Sequence, residues 1–245
     1  MIGTTFGNSA SSGGAFSPSD LNPLLWLDAG VSASASLWSN QGSGATNATQ
    51  NTAVNQPTYN ANGFGTNSKP HFEFDGDNDF FTLGNVDYSK LPNHTIFVVC
   101  ERASTDRAGL SGDINSGGQT TSVGSLFEFN SSNLRAFYGD SLSLTNTQSS
   151  ETFTTGTTYI VSTNFSSGTV GEVLRSNGSG LTETITGTAN TISGTKSNFS
   201  IGRWGDLDAL YFSGKIAEYL LFSASLSITD TESIETYLNT KYSAY

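Results

Sequence analysis

The apolar residues of this chain come in short runs, none approaching the ~18 residues that would span a bilayer. Gly, Asn, Ser or Asp bound each run. Leu24-Leu25-Trp26-Leu27-Asp28 reads as a short buried strand. Pro70 to Asp75 alternates and puts Phe72 and Phe74 on one face. Phe80 to Leu83 follows the turn-forming Gly76-Asp77-Asn78. His94 to Glu101 is continuous, as expected of a central strand covered on both faces. Leu126 to Asn130 and Leu134 to Tyr138 read as a hairpin across Ser131-Ser132-Asn133. Thr158 to Phe165 and Thr169 to Arg175 read as a second, turning at Ser166-Ser167-Gly168. Asn177-Gly178 is a tight turn before Leu181 to Ile185, and Asn198 to Gly202 and Gly214 to Phe222 complete the set. The turns recur roughly every 8–12 residues, the spacing of a β-sandwich or jelly roll.

The last element departs from this pattern. Thr229-Asp230-Thr231-Glu232 reads as a capping box opening a helix. Ile234, Tyr237, Leu238 and Lys241 follow at helical spacing and give it one stripe to pack on the sandwich. The expected fold is therefore all-β, a two-sheet antiparallel sandwich over residues 21–245 with one short C-terminal helix. Residues 1–20 are rich in Gly, Ser and Ala and read as a flexible arm, with Phe6 and Phe16 as apolar anchors for docking.

Composition agrees and removes whole classes of function. Ser, Thr, Asn and Gly make up about 47% of the 245 residues, and only 13% are charged, against ~25% in an average domain. With 11% aromatic residues the chain is a poor match to charged disorder. A net charge of −11, with the Lys and Arg scattered singly, excludes a nucleic-acid backbone or an anionic membrane as partner. The single cysteine, Cys100, sits in an apolar run and reads as a small buried hydrophobe. His94 lies six positions away on the same strand face, about 20 Å distant, too far for a thiol–imidazole pair. The N-terminus shows neither a basic region nor an apolar core of a secretory signal.

Four stretches carry a resemblance. They are Leu25-Trp26-Leu27-Asp28-Ala29 with Leu37 to Gly44 and Asn47 to Gln50; Gln56-Pro57-Thr58-Tyr59 with Lys69 to Asp79; Thr95 to Val99; and Ile201-Gly202-Arg203 with Phe212 to Phe222 and the helix ending Tyr237 to Tyr242. In order and spacing they cover nearly all of residues 21–245. The chain resembles the concanavalin A-like lectin/glucanase jelly rolls, in particular the laminin-G-like form common in bacterial and phage proteins. That fold hosts lectins, adhesion modules, glucanases and virion proteins, so function has to come from a site. The motif residues read mostly as structure: Trp26, Phe72 and Phe74 as core, Gly76, Gly202 and Gly214 as bends, Glu218 as a structural carboxylate.

Glucanases of the family carry a Glu-x-Asp-x-x-Glu strand, and a retaining glycosidase needs two carboxyls about 5–5.5 Å apart. The nearest match here, Glu73-Phe74-Asp75-Gly76-Asp77, lacks the second Glu, so no catalytic residue is expected. Asp75, Asp77 and Asp79 alternate as hard oxygen ligands and are the candidate site for a calcium ion, which laminin-G-like modules often carry at their rim. The EF-hand pattern fails, with Phe80 and Val86 where Gly and Glu belong, and the alternative is an Asp/Asn turn capping its own amides. No other cofactor is implied. Sugar sites on such sandwiches combine an aromatic face with Asn and Asp. Two loops qualify as glycan or subunit contacts, with ordinary packing as the alternative for both tryptophans: Trp204, Asp206, Asp208 and Tyr211 in one, Trp38 and Asn40 in the other.

The expected function is a non-enzymatic bacteriophage virion display protein, a capsid decoration or tail- and fibre-associated module. Its arm would dock on other virion proteins, its sandwich would touch host-surface polysaccharide, and a symmetry site on the particle would call for a homo-oligomer. A bacterial extracellular glycan-binding module is the alternative, and a glycoside hydrolase the weakest reading.

Overall fold

A computed structural model describes residues 15–87, 91–113, 123–140, 142–192, 195–205 and 209–245. Two antiparallel sheets pack face to face. The first has eight strands. Its order is β15 (Ser179–Gly180), β14 (Val173–Ser176), β13 (Thr158–Phe165), β8 (His94–Arg102), β18 (Ser213–Phe222), β6 (Lys69–Asp75) and β5 (Thr58–Phe64). β1 (Leu25–Asp28) pairs with the second half of β18. The other has ten strands: β16 (Glu183–Gly187), β12 (Leu144–Ser149), β11 (Asn133–Asp140), β10 (Val123–Asn130), β9 (Ala108–Gly112), β17 (Thr195–Ile201), β7 (Phe81–Asp87), β4 (Ala48–Thr49), β3 (Leu37–Trp38) and β2 (Ala33–Ser34). Helix α1 (Ile228–Tyr242) covers the outer face of the eight-stranded sheet. Among the described residues no helix is long and apolar enough to cross a membrane.

The expected all-β sandwich with a C-terminal helix is therefore the observed fold. β8 shows why its sequence is apolar without alternation. Ile96, Val98 and Cys100 point into the core between the sheets, while Phe97 and Val99 join a second core with Ile234, Leu238 and Tyr242 of α1. Burying each such side chain stabilises the fold by about 1.5–3 kcal/mol.

Three local expectations are corrected. The helix is capped two residues early: Ser227 Oγ accepts from Asp230 N at 3.1 Å and donates to its carboxylate at 2.7 Å. Thr231, expected inside the box, faces the sheet instead. The second hairpin opens wider than its sequence implies, with β14 beginning only at Val173. The backbone before it is drawn to the opposite sheet: Gly171 N donates to Tyr138 Oη at 2.8 Å and Glu172 N to Thr147 Oγ1 at 2.9 Å. Finally, the fold extends into the expected arm. Pro18–Leu21 form a 3-10 turn capped by Ser17 and Asp20. Phe16 packs half-buried beside Tyr237 and the second core, so it serves this fold's own helix. Phe6 lies outside the described residues.

Glu172 is buried at the inter-sheet crossing, where Thr163 Oγ1 donates to its carboxyl. Burial pushes this group up to about 8, with the Thr163 bond opposing and the charge of Glu183 adding. The unfolded chain ionises near the ordinary 4.5, so stability falls by about 1.4 kcal/mol per pH unit from there to about 8 and is level beyond. Glu172→Gln removes that slope. Denaturant titrations at pH 5 and pH 8 should show the variant's advantage over wild type larger at pH 8; an advantage independent of pH would refute the assignment.

Candidate functional site

With α1 on one sheet, the outer face of the ten-stranded sheet is where side chains gather toward solvent. The β10–β11 hairpin sets their register. Its turn is Ser131-Ser132, with Ser131 at φ 55°, and Asn130 pairs with Asn133. Alternation then sends Phe127, Phe129, Leu134, Ala136 and Tyr138 to the core and Glu128, Arg135 and Phe137 outward. Strand pairing extends this into a lateral row, Gly109 beside Glu128, Arg135, Gln148 and Thr184.

Glu128 is fully buried in that row and is held by two guanidiniums. Arg107 Nε and Nη2 donate to it at 3.0 and 3.2 Å, and Arg135 Nε donates at 2.5 Å, its Nη2 also lying against the same oxygen. Burial works to raise the Glu128 carboxyl above its ordinary range, and the two guanidiniums oppose it. Arg135 is nearly buried and lies over the Phe137 ring, 4.3 Å from its centroid. Arg107 is one-third exposed, and its Nη1 makes no hydrogen bond with a described residue.

Trp204 arrives beside Arg107 because Gly109 has no side chain. A Cβ there would lie 2.6 Å from the Arg203 carbonyl carbon and 2.8 Å from Trp204 N. The Arg203–Gly205 segment therefore rests directly on β9, closed by Trp204 N donating to Ala209 O at 3.1 Å. The half-buried indole stacks under the Arg107 guanidinium, 4.8 Å from ring centroid to Cζ. A flat aromatic face, a partly exposed bidentate donor and the amide of Gln148 thus share one surface, which suits a sugar ring or a carboxylate.

Of the residues expected from sequence, Trp204 is in this cluster. Tyr211 is half-buried seven positions further along the chain, where Arg203 Nη1 donates to its Oη at 3.5 Å and the Arg203 guanidinium lies 3.4 Å from the Phe80 ring centroid. Asp206 and Asp208 lie outside the described residues. Trp38 is corrected: it is fully buried, packed on Phe72 and Phe81 at 4.9 and 5.9 Å, and cannot touch a glycan. Asn40 is a bracket rather than a ligand contact, its side chain accepting from Trp26 N and Gly42 N and donating to Leu24 O and Gly44 O.

The acidic turn takes the self-capping form. Asp75 Oδ1 accepts from the amides of Asp77, Asn78 and Asp79 at 2.8, 3.1 and 3.4 Å, and Asp79 Oδ2 accepts from Asp75 N at 3.0 Å. Burial works to raise Asp75, but the amides outweigh it and hold the carboxyl below its ordinary range. Burial pushes Asp79 up to about 6. Among the described residues no three His, Cys, Asp or Glu side chains converge as metal ligands. Arg107, Glu128, Arg135 and Phe137 escaped the sequence reading. The signal for one pair was present, since a turn at Ser131-Ser132 places Glu128 opposite Arg135.

No protein-family model matches the chain, and no curated protein matches it in sequence. Solved structures do. Trypanosoma rangeli sialidase in complex with sialic acid superposes with a TM-score of 0.57 at 14% identity, over 89% of this chain and 33% of that one. The same sialidase in complex with 2,3-difluoro-KDN gives 0.59 at 12% identity, over 90% and 33%. The chain thus spans about a third of the sialidase chains it matches. The Ruminococcus gnavus IT-sialidase CBM40 bound to α2,3-sialyllactose gives 0.53 at 13% identity, over 67% of this chain and 96% of that one. At these identities the likeness is one of fold, and the fold shared is the jelly-roll β-sandwich.

Proposed function

We propose that the protein is a non-enzymatic, concanavalin A-like glycan-binding sandwich that holds a carboxylated sugar on the outer face of its ten-stranded sheet. The observation that carries this reading is Arg107 stacked on Trp204 with one nitrogen unused by the protein. The indole supplies an aromatic surface for a sugar ring, and the Nη1 that Glu128 does not engage can donate to a carboxylate. The likeness to a carbohydrate-binding module solved with α2,3-sialyllactose supports the same class of ligand. The pairing of Glu128 with two guanidiniums supports a strut that aims Arg107 rather than an acid or nucleophile. The laminin-G-like subtype rests on the sequence motifs.

On a glycan array, wild type should retain at least one carboxylated glycan, and Trp204→Ala and Arg107→Ala should each weaken it at least tenfold. Binding to nothing, or equal binding by both variants, would overturn the proposal. Glu128→Gln separates strut from catalyst. It leaves two guanidiniums without their shared anion and should cost about 3 kcal/mol in denaturant unfolding; an unchanged midpoint would count against the strut.

The setting we propose is the surface of a bacteriophage particle, supported by the Ser-, Thr-, Asn- and Gly-rich composition with few charged residues. Mass spectrometry of purified particles from a host carrying this gene should find the protein; particles without it would point to the bacterial extracellular module.

A further inference from the structure

We propose that a cleft at the end of the sandwich is a second subsite, for a neutral hydroxyl-rich sugar ring joined to the acidic one, and that Arg107 is the wall between the two. This rests on the reading of the outer face as a glycan site. The cleft encloses about 270 Å³ and is built where three separate segments meet: the turn after β6, the β8–β9 loop and the approach to β18. Its polar rim is Asp77, Ser104, Asp106 and Tyr211, its floor includes Phe129, and Arg107 lines it as well as the Trp204 platform. An apolar floor with a few convergent polar groups is the ordinary make-up of a small-ligand site, and the volume lies near the ~300 Å³ lower end for such sites. It suits one ring.

The rim is held in place without using up the carboxylates of Asp77 and Asp106. Arg102 is buried and donates to the carbonyls of Ser104, Asp106 and Ser131 at 2.7, 3.2 and 2.6 Å, which fixes the β8–β9 loop from beneath. Leu210 lines the opposite side at φ 54°, a backbone state costly for leucine, and its carbonyl is pinned by Gly109 N at 2.8 Å. The Asp77 carboxylate is exposed and makes no hydrogen bond with a described residue, and Asp106 uses Oδ2 alone, toward Ser104 at 2.6 Å. Carboxylates accept hydrogen bonds from hydroxyls and repel anions. The carboxylates of Asp77 and Asp106 and the guanidiniums of Arg102 and Arg107 together give the lining no net charge, so the cleft suits the uncharged ring, while the Arg107–Trp204 surface takes the carboxylate, and the order of the two sugars is fixed.

A panel of sialic, glucuronic and galacturonic acid, each alone and linked to a neutral mono- or disaccharide, tests this by calorimetry. Wild type should bind one acid, and its linked form at least tenfold more tightly. Asp77→Asn with Tyr211→Phe should bring the linked form down to the level of the acid alone and leave the acid alone unchanged. Equal binding of linked and unlinked forms by wild type would remove the cleft subsite and leave the platform standing. A double variant that weakens both forms would also overturn the cleft assignment. No binding of any panel member would fail the glycan reading itself. Calcium chloride alone is the control: calcium binding that Asp77→Asn abolishes would make the cleft an ion site instead.

Discussion

The demand that β8 and β18 be covered on both faces governs the rest of this structure. Both strands are buried along nearly their whole length, and the inner sheet contact covers only one of their faces. Helix α1 covers the other, and ion pairs fix where it lies. Lys241 Nζ sits 2.6 Å from Asp28 and 2.7 Å from the fully buried Glu218, which also accepts from Trp26 Nε1 at 2.7 Å and Tyr242 Oη at 2.9 Å. Burial works against the Lys241 charge, and the two carboxylates outweigh it and hold the ammonium above its ordinary range. At the other end Arg175 grips Glu235 bidentately, both bonds 2.8 Å. Charges with this many partners at such distances are bound to one geometry. One face of the sandwich is thereby covered by the helix.

On the ten-stranded sheet the site depends on what is missing as much as on what is present. Gly109 lets the Trp204 segment lie against β9, and any side chain at that position would lift the indole away from Arg107. Glu128 then costs desolvation that only its two guanidiniums offset. The arrangement fixes Arg107 from two sides, by carboxylate and by indole, before any ligand arrives. A donor fixed in advance loses less side-chain entropy on binding, which is the physical content of preorganisation.

The fold was legible because period and punctuation carry it. Phe72 and Phe74 alternate into the core, the His94 run reports double burial, and turn residues mark the hairpins. What was lost depended on distance along the chain. Trp38 looked like a loop residue because Ser39-Asn40 follow it, yet it ends a two-residue strand, β3, whose inward side meets Phe72 and Phe81. Asn40 carries the hydrogen-bonding groups of a ligand contact and spends them on Leu24, Trp26, Gly42 and Gly44. Glu218 was legible as structural from its place in a mostly apolar strand, but a bulge between Ile216 and Glu218 puts it on the helix side with Leu220 while Ile216 faces the inter-sheet core, and its partners Asp28 and Lys241 were not legible. The Glu128–Arg135 pair is local to one hairpin and could be read from its turn. Arg107 could not, since its position over Trp204 follows from how β9, β10 and a distant loop come together.

The same distinction bears on charge. A chain of net −11 is a poor partner for any anion if its charge is treated as a whole. Ionic screening at physiological salt limits that field to ~8 Å, so a ligand answers to the groups beside it. Among the described residues, the Arg107–Glu128–Arg135 group beside Trp204 holds two guanidiniums and one carboxylate. Across Arg107, Asp77 and Asp106 set two carboxylates on the adjoining rim. A uniformly acidic surface would turn away a carboxylated glycan, and a uniformly basic one would accept polyanions without regard to sequence. A single cation set between an aromatic platform and an acidic rim does neither. On the proposed glycan reading, it would admit a carboxylate on one side only and so distinguish the direction of the glycan as well as its charge.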